Sequence, residues 1–389
     1  MKSRTIAFIS VFAGILLFGV SMVLIGSVLP LLKLRLGLSD IVAGGLFSIL
    51  PFGLLIGSIS FGPITDKYGY RWVLSIACLF LAIGFIGIGH TLSLLLLRIS
   101  ILFFGIGGGV INGATSALIS DLSSDNKKIA NLNLLGVFFG IGALCMPLIL
   151  STLNDESYVV AINIAAMMSV FISLLFLLIK YPLSVKKEKV SFKLIPLFLK
   201  KKVFLIICFF LFFQSAFEAI INNWSVSYFT EQLQLPQRYA LIALSFSVLG
   251  MTLMRILTGG VFRNVKSKTL LQISFSLFTA GVICLFIPSS SSFIYINTFG
   301  LFLIGAGLSP GFPVMLGLTG NMFKEISGTA FSFVMFIALT GNIIINYITG
   351  ILIERLGIGV FVYVILIQVL TMITLYLFIK KEDKDILDN

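Results

Sequence analysis

The segment FFQSAFEAIINNWSVSYF at residues 212–229 holds one acid, Glu218, among aromatic rings, amides and hydroxyls, and no other charge. Were that carboxylate ionised and facing lipid, its insertion would cost roughly 2.5–3.5 kcal/mol, so it must be compensated or used. A helix turns about 100° per residue, which puts Gln214, Glu218, Asn222 and Ser225 in one stripe with Tyr228 at its edge. Asn223 and Trp224 then point elsewhere, Trp224 being a candidate either for a ring surface at the site or for an anchor of the outer half of the helix. An acid, two amides and a hydroxyl offer donors and acceptors to sugar hydroxyls, and an aromatic surface suits the CH faces of a sugar ring. The same stripe is equally able to form a hydrogen-bonded seam between helices.

Other polar residues in apolar surroundings extend the set. Asn342 and Asn346 are four apart and share a helix face, and Asn112, Thr115 and Ser116 cluster in GIGGGVINGATSA at 105–117. Enzymatic constellations are missing from the sequence. His90 is the single histidine, so no Ser/His/Asp set can form, and it is expected to be a solvated residue of a short outer loop. Cys78, Cys145, Cys208 and Cys284 each stand alone in a different apolar block, which argues against disulfides and metal ligation. The glycines at 105–109 lie within an apolar run, not between a strand and a helix, and do not form a phosphate loop.

The elements that must position these residues are membrane spans. The chain of 389 residues is 58% hydrophobic and 11% charged, far from the roughly 25% charge of soluble domains. Apolar blocks near 6–32, 41–62, 72–89, 92–118, 129–151, 157–179, 203–230, 240–262, 269–287, 291–318, 327–353 and 358–379 predict twelve helices, each near the about 20 residues a bilayer requires. The first block follows MKSR and is too long, without a small-residue cleavage site, for a signal peptide; it reads as an uncleaved span. Only Lys33, Arg35, Arg238 and Arg355 of the 27 basic residues then fall in outer loops, with Arg98 and Arg255 inside spans. That asymmetry puts both termini in the cytoplasm and accounts for the net charge of +12 without nucleic acid as a partner.

Residues 181–203 form a basic linker between an N-terminal bundle at 1–180 and a C-terminal bundle at 204–389. Its lysines fit the cytoplasmic excess of basic residues, and they can also meet anionic lipid. The halves resemble each other: GIGGG at 105–109 matches GAGLSPG at 305–311, and FFGIGALCMP at 138–147 matches FIALTGNIII at 336–345. The predicted fold is therefore an all-α integral membrane protein, two pseudo-symmetric six-helix bundles with a site between them, as in secondary transporters. The blocks at 72–89, 157–179, 269–287 and 358–379 are poor in polar residues and are expected to face lipid. Pro310 and Pro313 should interrupt span 10, and they and the glycines of span 4 are candidates either for flexing or for close packing.

GPITDKYGYR at 62–71 joins spans 2 and 3. Gly62 should let helix ends approach closely, Gly69 should permit a turn, and Asp66 can meet the positive end of a helix. Together Gly62, Asp66, Lys67, Gly69 and Arg71 meet every defining position of a loop that resembles the signature of the major facilitator superfamily. The resemblance implies a cytoplasmic gate that stabilises the outward-facing state. The second copy, at 260–267, has Asn264 and Ser267 in place of the acid and a glycine. Arg98 precedes the glycine cluster by seven residues instead of the family's four, and either faces the interior or snorkels to the outer surface.

Within the superfamily, the series Glu218, Trp224, Tyr228 in span 7, LNLLGVFFGIGALCMP in span 5 and GAGLSPGFP in span 10 is similar to the fucose:proton symporter family. That likeness implies proton-coupled uptake of a monosaccharide or related polar solute, in the cell (inner) membrane, by a monomer whose partners are its solute and lipid. No cofactor is implied beyond the coupling proton, and no metal. The family's acids in spans 1 and 4 have no counterpart, Asn112 standing in span 4. Glu218 is the only carboxylate buried in any span and must carry the proton if one is coupled. One charge moved through 100 mV supplies about 2.3 kcal/mol, roughly fifty-fold accumulation. An exporter of drugs or metabolites, an uncoupled facilitator in which Glu218 only binds solute, and a non-transporting membrane sensor remain open alternatives.

Overall fold

The computed structural model describes residues 2–123, 125–154, 157–181, 198, 200–262, 265–287, 294–323 and 326–382; side chains are described from Thr5 onward, from Asn131 in the fourth helix and from Tyr295 in the ninth, and not at 327 and 328. Most of the basic linker and Asn264 lie outside the described residues. Among those described, eleven helices run in chain order: α1 Lys2–Leu36, α2 Asp40–His90, α3 Leu94–Leu122, α4 Asp125–Thr152, α5 Tyr158–Leu178, α6 Lys202–Ser227, α7 Gln237–Gly259, α8 Ser267–Phe286, α9 Ile294–Met322, α10 Ser327–Leu356 and α11 Val360–Glu382. A π-helical turn, Tyr228–Gln232, extends α6. All eleven are long and apolar enough to cross a bilayer.

The 51 residues of α2 are two helices joined at a kink and account for two of the twelve predicted spans. The connection expected at 62–71 is shorter than a loop: two helices meet there at a bend with one non-helical residue, Gly69, at φ 76° and ψ 162°. A left-handed φ costs a residue with a Cβ roughly 1–2 kcal/mol, so the reversal between spans 2 and 3 rests on that glycine. His90 is the last residue of α2 and exposed, its Nε2 2.7 Å from Asn163 Oδ1 of α5. Gly62 behaves otherwise than expected: an added Cβ there meets nothing within 4 Å, and its neighbour Phe61 instead fills the space over Gly113.

The chain divides into two compact units, Met1–Lys187 with Pro236–Ile242, and Glu188–Leu235 with Ala243–Asn389. Glycines set the packing in each. In the first unit an added Cβ at Gly53 would lie 2.6 Å from Leu102 O, and one at Gly57, Gly105 or Gly109 would overlap the backbone of the facing helix. Thus α2 and α3 touch backbone to backbone, as small residues four apart permit in membranes. Gly107 meets Ala77 O on the other limb of α2, and Gly142 of α4 meets Leu16 O of α1. The glycines of span 4 are therefore close-packing positions.

The second unit repeats these seams about 200 residues later, as parallel repeats require. Gly250 of α7 rests on Phe302 O of α9, Gly305 of α9 on Ser247 O of α7, and Gly341 of α10 on Phe212 O of α6. Helix α9 continues through Pro310 and Pro313 without a break, against expectation. Each proline removes an N–H donor, so the carbonyls four residues earlier lose their helical partners while the helical path survives.

Polar ties are few and local. Arg35, at the C-terminal end of α1, donates to Gly89 O, to Ile88 O at 2.8 Å and to Tyr158 Oη at 2.8 Å, tying α1 to the end of α2 and to α5. Ser75 and Ser173 hydroxyls meet at 2.7 Å between α2 and α5. Exposed apolar stripes run along 72, 76, 79, 83 and 86 of α2, along 160, 164, 167, 171 and 174 of α5, and along 363, 367 and 370 of α11. These are lipid-facing surfaces, and Arg98 also lies exposed, on the first turns of α3.

Replacing Gly109 by Val will lower the thermal midpoint of the purified chain, since overpacking a filled seam costs about 1–3 kcal/mol or more. Gly62→Ala, with open space at its Cβ, will leave the midpoint unchanged within error. Scanning fluorimetry in detergent compares them, and equal shifts would mean the α2–α3 seam is not close-packed.

Candidate functional site

Helix α6 is held on most of its circumference. Gln214 is buried against α9, its Nε2 donating to Leu308 O at 3.1 Å and its amide occupying the space above Gly311. Phe210 and Phe217 pack edge-on to Phe275 and Phe278 of α8, at 6.2 and 5.0 Å between centroids. Phe212 O is covered by Gly341 of α10, and Tyr228 lies 4.9 Å from the ring of Phe361 on α11. The arc left partly accessible in the middle of the helix carries Ser215, Glu218, Ala219 and Asn222.

Those four positions follow the i, i+3, i+4, i+7 spacing of a single helix face. The sequence-derived stripe was centred to one side of it. Glu218 and Asn222 belong to both, but Gln214 is 2% exposed, Ser225 is fully buried with its Oγ donating to Ile221 O at 2.5 Å, and Tyr228 is buried. Trp224 is completely enclosed, which is not the position of an interfacial anchor. Periodicity gives angles between residues but no origin. The neighbouring helices supply that origin.

Glu218 has a charge partner in Arg255 of α7, whose field reaches it within the same unit. Both side chains keep partial accessibility. Opposite charges in one unit lessen the cost of each within a span, and a carboxylate with some access can still exchange a proton or touch a solute. Arg255 was counted as a basic residue within a span but not proposed for the site. Its signal was its charge, since intramembrane cations face the protein interior.

On α10, Asn346 is fully buried and Asn342 partly accessible. Asn346 Nδ2 donates to both Asn342 O and Asn342 Oδ1 at 2.9 Å, and Asn346 Oδ1 accepts from Asn223 Nδ2 at 3.0 Å. Asn223, set aside by the helical stripe, thus ties α6 to α10. Asn112 and Thr115 belong to the other unit. Asn112 is partly accessible there, while Thr115 is fully buried and donates to Ile111 O at 2.6 Å.

The gate motif lies around the Gly69 bend. Asp66, Lys67 and Arg71 are exposed, with Lys67 Nζ 5.0 Å over the Tyr68 ring and the Arg71 guanidinium 5.7 Å over Trp72. Thr65 and Tyr70 of the same stretch are buried, and the Tyr70 hydroxyl donates to Asp121 Oδ2 at 2.6 Å, linking the bend to the end of α3. No group of three metal-ligating side chains gathers among the described residues, and the four cysteines are free thiols.

Comparison with known proteins places this arrangement. Residues 11–336 match the family model of the Major Facilitator Superfamily. The chain belongs to that superfamily. It is 24% identical over 337 residues to the probable nitrate transporter NarT of Staphylococcus epidermidis, covering 80% of this chain and 81% of the relative. Solved structures of the same fold include the nucleoside transporter NupG (TM-score 0.76, 18% identity, 98% and 99% of the two chains). They also include the fucose:proton symporter FucP of E. coli (TM-score 0.67, 16% identity, 98% and 99%). Superfamily and fold thus agree with the signature loop, and the chain is a multi-pass membrane transporter, not an enzyme.

The accessible arc is open to direct test. With the four native cysteines replaced, single cysteines at Ser215, Ala219 and Asn222 will react with a small polar thiol reagent in membranes. Cysteines at Gln214, Ser225 and Trp224 will be at least about ten times slower, because reaction needs a solvated thiolate. Labelling rates read by mass spectrometry give the answer, and uniform rates would discard the arc.

Proposed function

We propose that this superfamily member imports a small polar solute, a monosaccharide or a related polyol, by alternating access, and that Glu218 carries the coupling proton. The observation that carries the reading is Glu218 itself: a carboxylate within a span, partly accessible, on a polar arc with Ser215 and Asn222, and with Arg255 as its charge partner. A group so placed takes a proton on the acidic side, crosses neutral and releases it on the other, and the field of Arg255 favours the ionised form once the proton has left. Asn342 on α10 and Asn112 on α3 are further candidate contacts, each partly accessible. The fold shared with a fucose:proton symporter supports the reading without deciding the solute. The chain acts as a monomer in the cell (inner) membrane, with cytoplasmic termini and no cofactor beyond the proton, and the Gly69 bend with Asp66, Lys67 and Arg71 acts as its cytoplasmic gate.

A second reading is favoured by one pair of observations. The relative covering 80% of the chain is named for nitrate, and Arg255 is a cation within a span of the unit that holds Glu218. On that reading Arg255 meets an anionic solute and Glu218 sets its charge. The two readings separate in one assay. Cells lacking their own sugar uptake, expressing the chain in weakly buffered medium, receive neutral sugars or nitrate while external pH is recorded. The expected result is alkalinisation by a sugar with the native chain and none with Glu218→Gln, at equal amounts of folded protein. Alkalinisation by nitrate alone supports the second reading, and an unchanged response in Glu218→Gln removes the proton from Glu218.

A further inference from the structure

The three asparagines between α6 and α10 have only one consistent orientation. Asn342 O is a backbone carbonyl and can only accept, so the atom of Asn346 at 2.9 Å from it must be the amide nitrogen. That nitrogen also lies 2.9 Å from the Asn342 side chain, which must therefore turn its oxygen toward Asn346. Asn346 then shows its own oxygen to Asn223, which donates at 3.0 Å. A single backbone carbonyl thus settles three amides that are otherwise free to be read either way round. Asn346 and Asn223 are shut away, at 0% and 5% exposure, while Asn342 keeps accessible surface. With Asn342 Oδ1 engaged by Asn346, its NH2 group is the part of the amide that the relay does not use.

We infer that the Asn223–Asn346–Asn342 relay presents a fixed hydrogen-bond donor to the solute, so that this transporter selects solutes bearing an acceptor oxygen at that point. The inference rests on the transport reading above and deepens it. Asn342 is the contact, and Asn346 and Asn223 are positioning residues. The relay also explains why two amides are kept in a dry seam where apolar side chains would pack as well: reversing any one amide sets two acceptors, or two donors, face to face. A donor-only contact complements the carboxyl group of Glu218, whose carbonyl oxygen accepts whether or not the proton is bound. A sugar hydroxyl can satisfy both, because it accepts from one and donates to the other, while nitrate satisfies only the donor.

Two measurements test the inference on the full-length chain. The first needs no solute. In protein labelled with 15N-asparagine and assigned by single Asn→Asp variants, the side-chain NH2 of Asn342 will exchange with water at least about a hundred times faster than those of Asn346 and Asn223, since buried bonded amides exchange only on local opening. Comparable rates for all three overturn the relay. The second uses neutral monosaccharides and nitrate as probes in proteoliposomes. Asn342→Asp keeps the shape but replaces the donor by an acceptor, and will raise KM roughly ten-fold or more with kcat and thermal midpoint little changed. Asn223→Asp, which sets an acceptor against Asn346 Oδ1, will raise KM by a smaller factor in the same direction, an effect that mere loss of folded protein would not give. An unchanged KM in Asn342→Asp overturns the solute contact even if the relay exists. If no probe is transported by the native chain while the exchange rates follow the expected order, the transport reading fails and the relay is reduced to a structural seam.

Discussion

Hydrocarbon supplies no hydrogen bonds, and every polar group inside the spans of this chain must find a partner within the protein or be reached from an aqueous opening. That constraint makes the few polar residues informative. Serines and threonines mostly turn back on their own helix, as Thr115 does to Ile111 O and Ser225 to Ile221 O. The amides bridge helices, Gln214 to the backbone of α9 and Asn223 to Asn346. Glu218 stands apart because a helix cannot absorb a carboxylate by back-bonding. Partial accessibility and the field of an opposite charge are the ways open to it, and it has the first at its own surface and the second from Arg255.

The same absence of water removes the usual drive for helix association, so packing must come from contact area and close approach. Glycine provides it. Seams at Gly53, Gly57, Gly105 and Gly109 in one unit, and at Gly250 and Gly305 in the other, bring backbones together at equivalent places. Helix pairs joined in this way are held together as rigid elements within each unit. On the first unit the bend at Gly69 gathers charge on a surface tied to α3 through Tyr70 and Asp121.

Much of this was legible in the sequence because its cause is composition. Twelve spans followed from apolar length, the superfamily from one loop with its glycines and charges in order, and the repeat from glycines spaced about 200 residues apart. What escaped was orientation about the helix axis. Glu218 and Asn222 lie on the accessible arc, but Gln214 and Ser225 of the same stripe are buried and Ser215, outside it, is accessible, because periodicity does not say which neighbours pack where. Gly62 was assigned a close approach on the strength of a motif, while the actual requirement for glycine is the left-handed φ of Gly69. Asn223 was dismissed as facing away from Glu218; it does, and meets Asn346 there. Arg255 needed the fold, since nothing in the order of residues brings it to Glu218.

The central claim is that Glu218 carries the proton and does not merely bind solute. Counterflow in proteoliposomes separates these roles, because exchange of labelled for unlabelled solute needs binding and the conformational change but no net proton movement. With the solute identified by the pH assay, the account predicts that Glu218→Gln retains counterflow at rates near those of the native chain while losing uphill uptake driven by an imposed pH gradient. Loss of counterflow and uptake together, in protein that is folded and inserted, would contradict it and make Glu218 a solute ligand or a structural partner of Arg255.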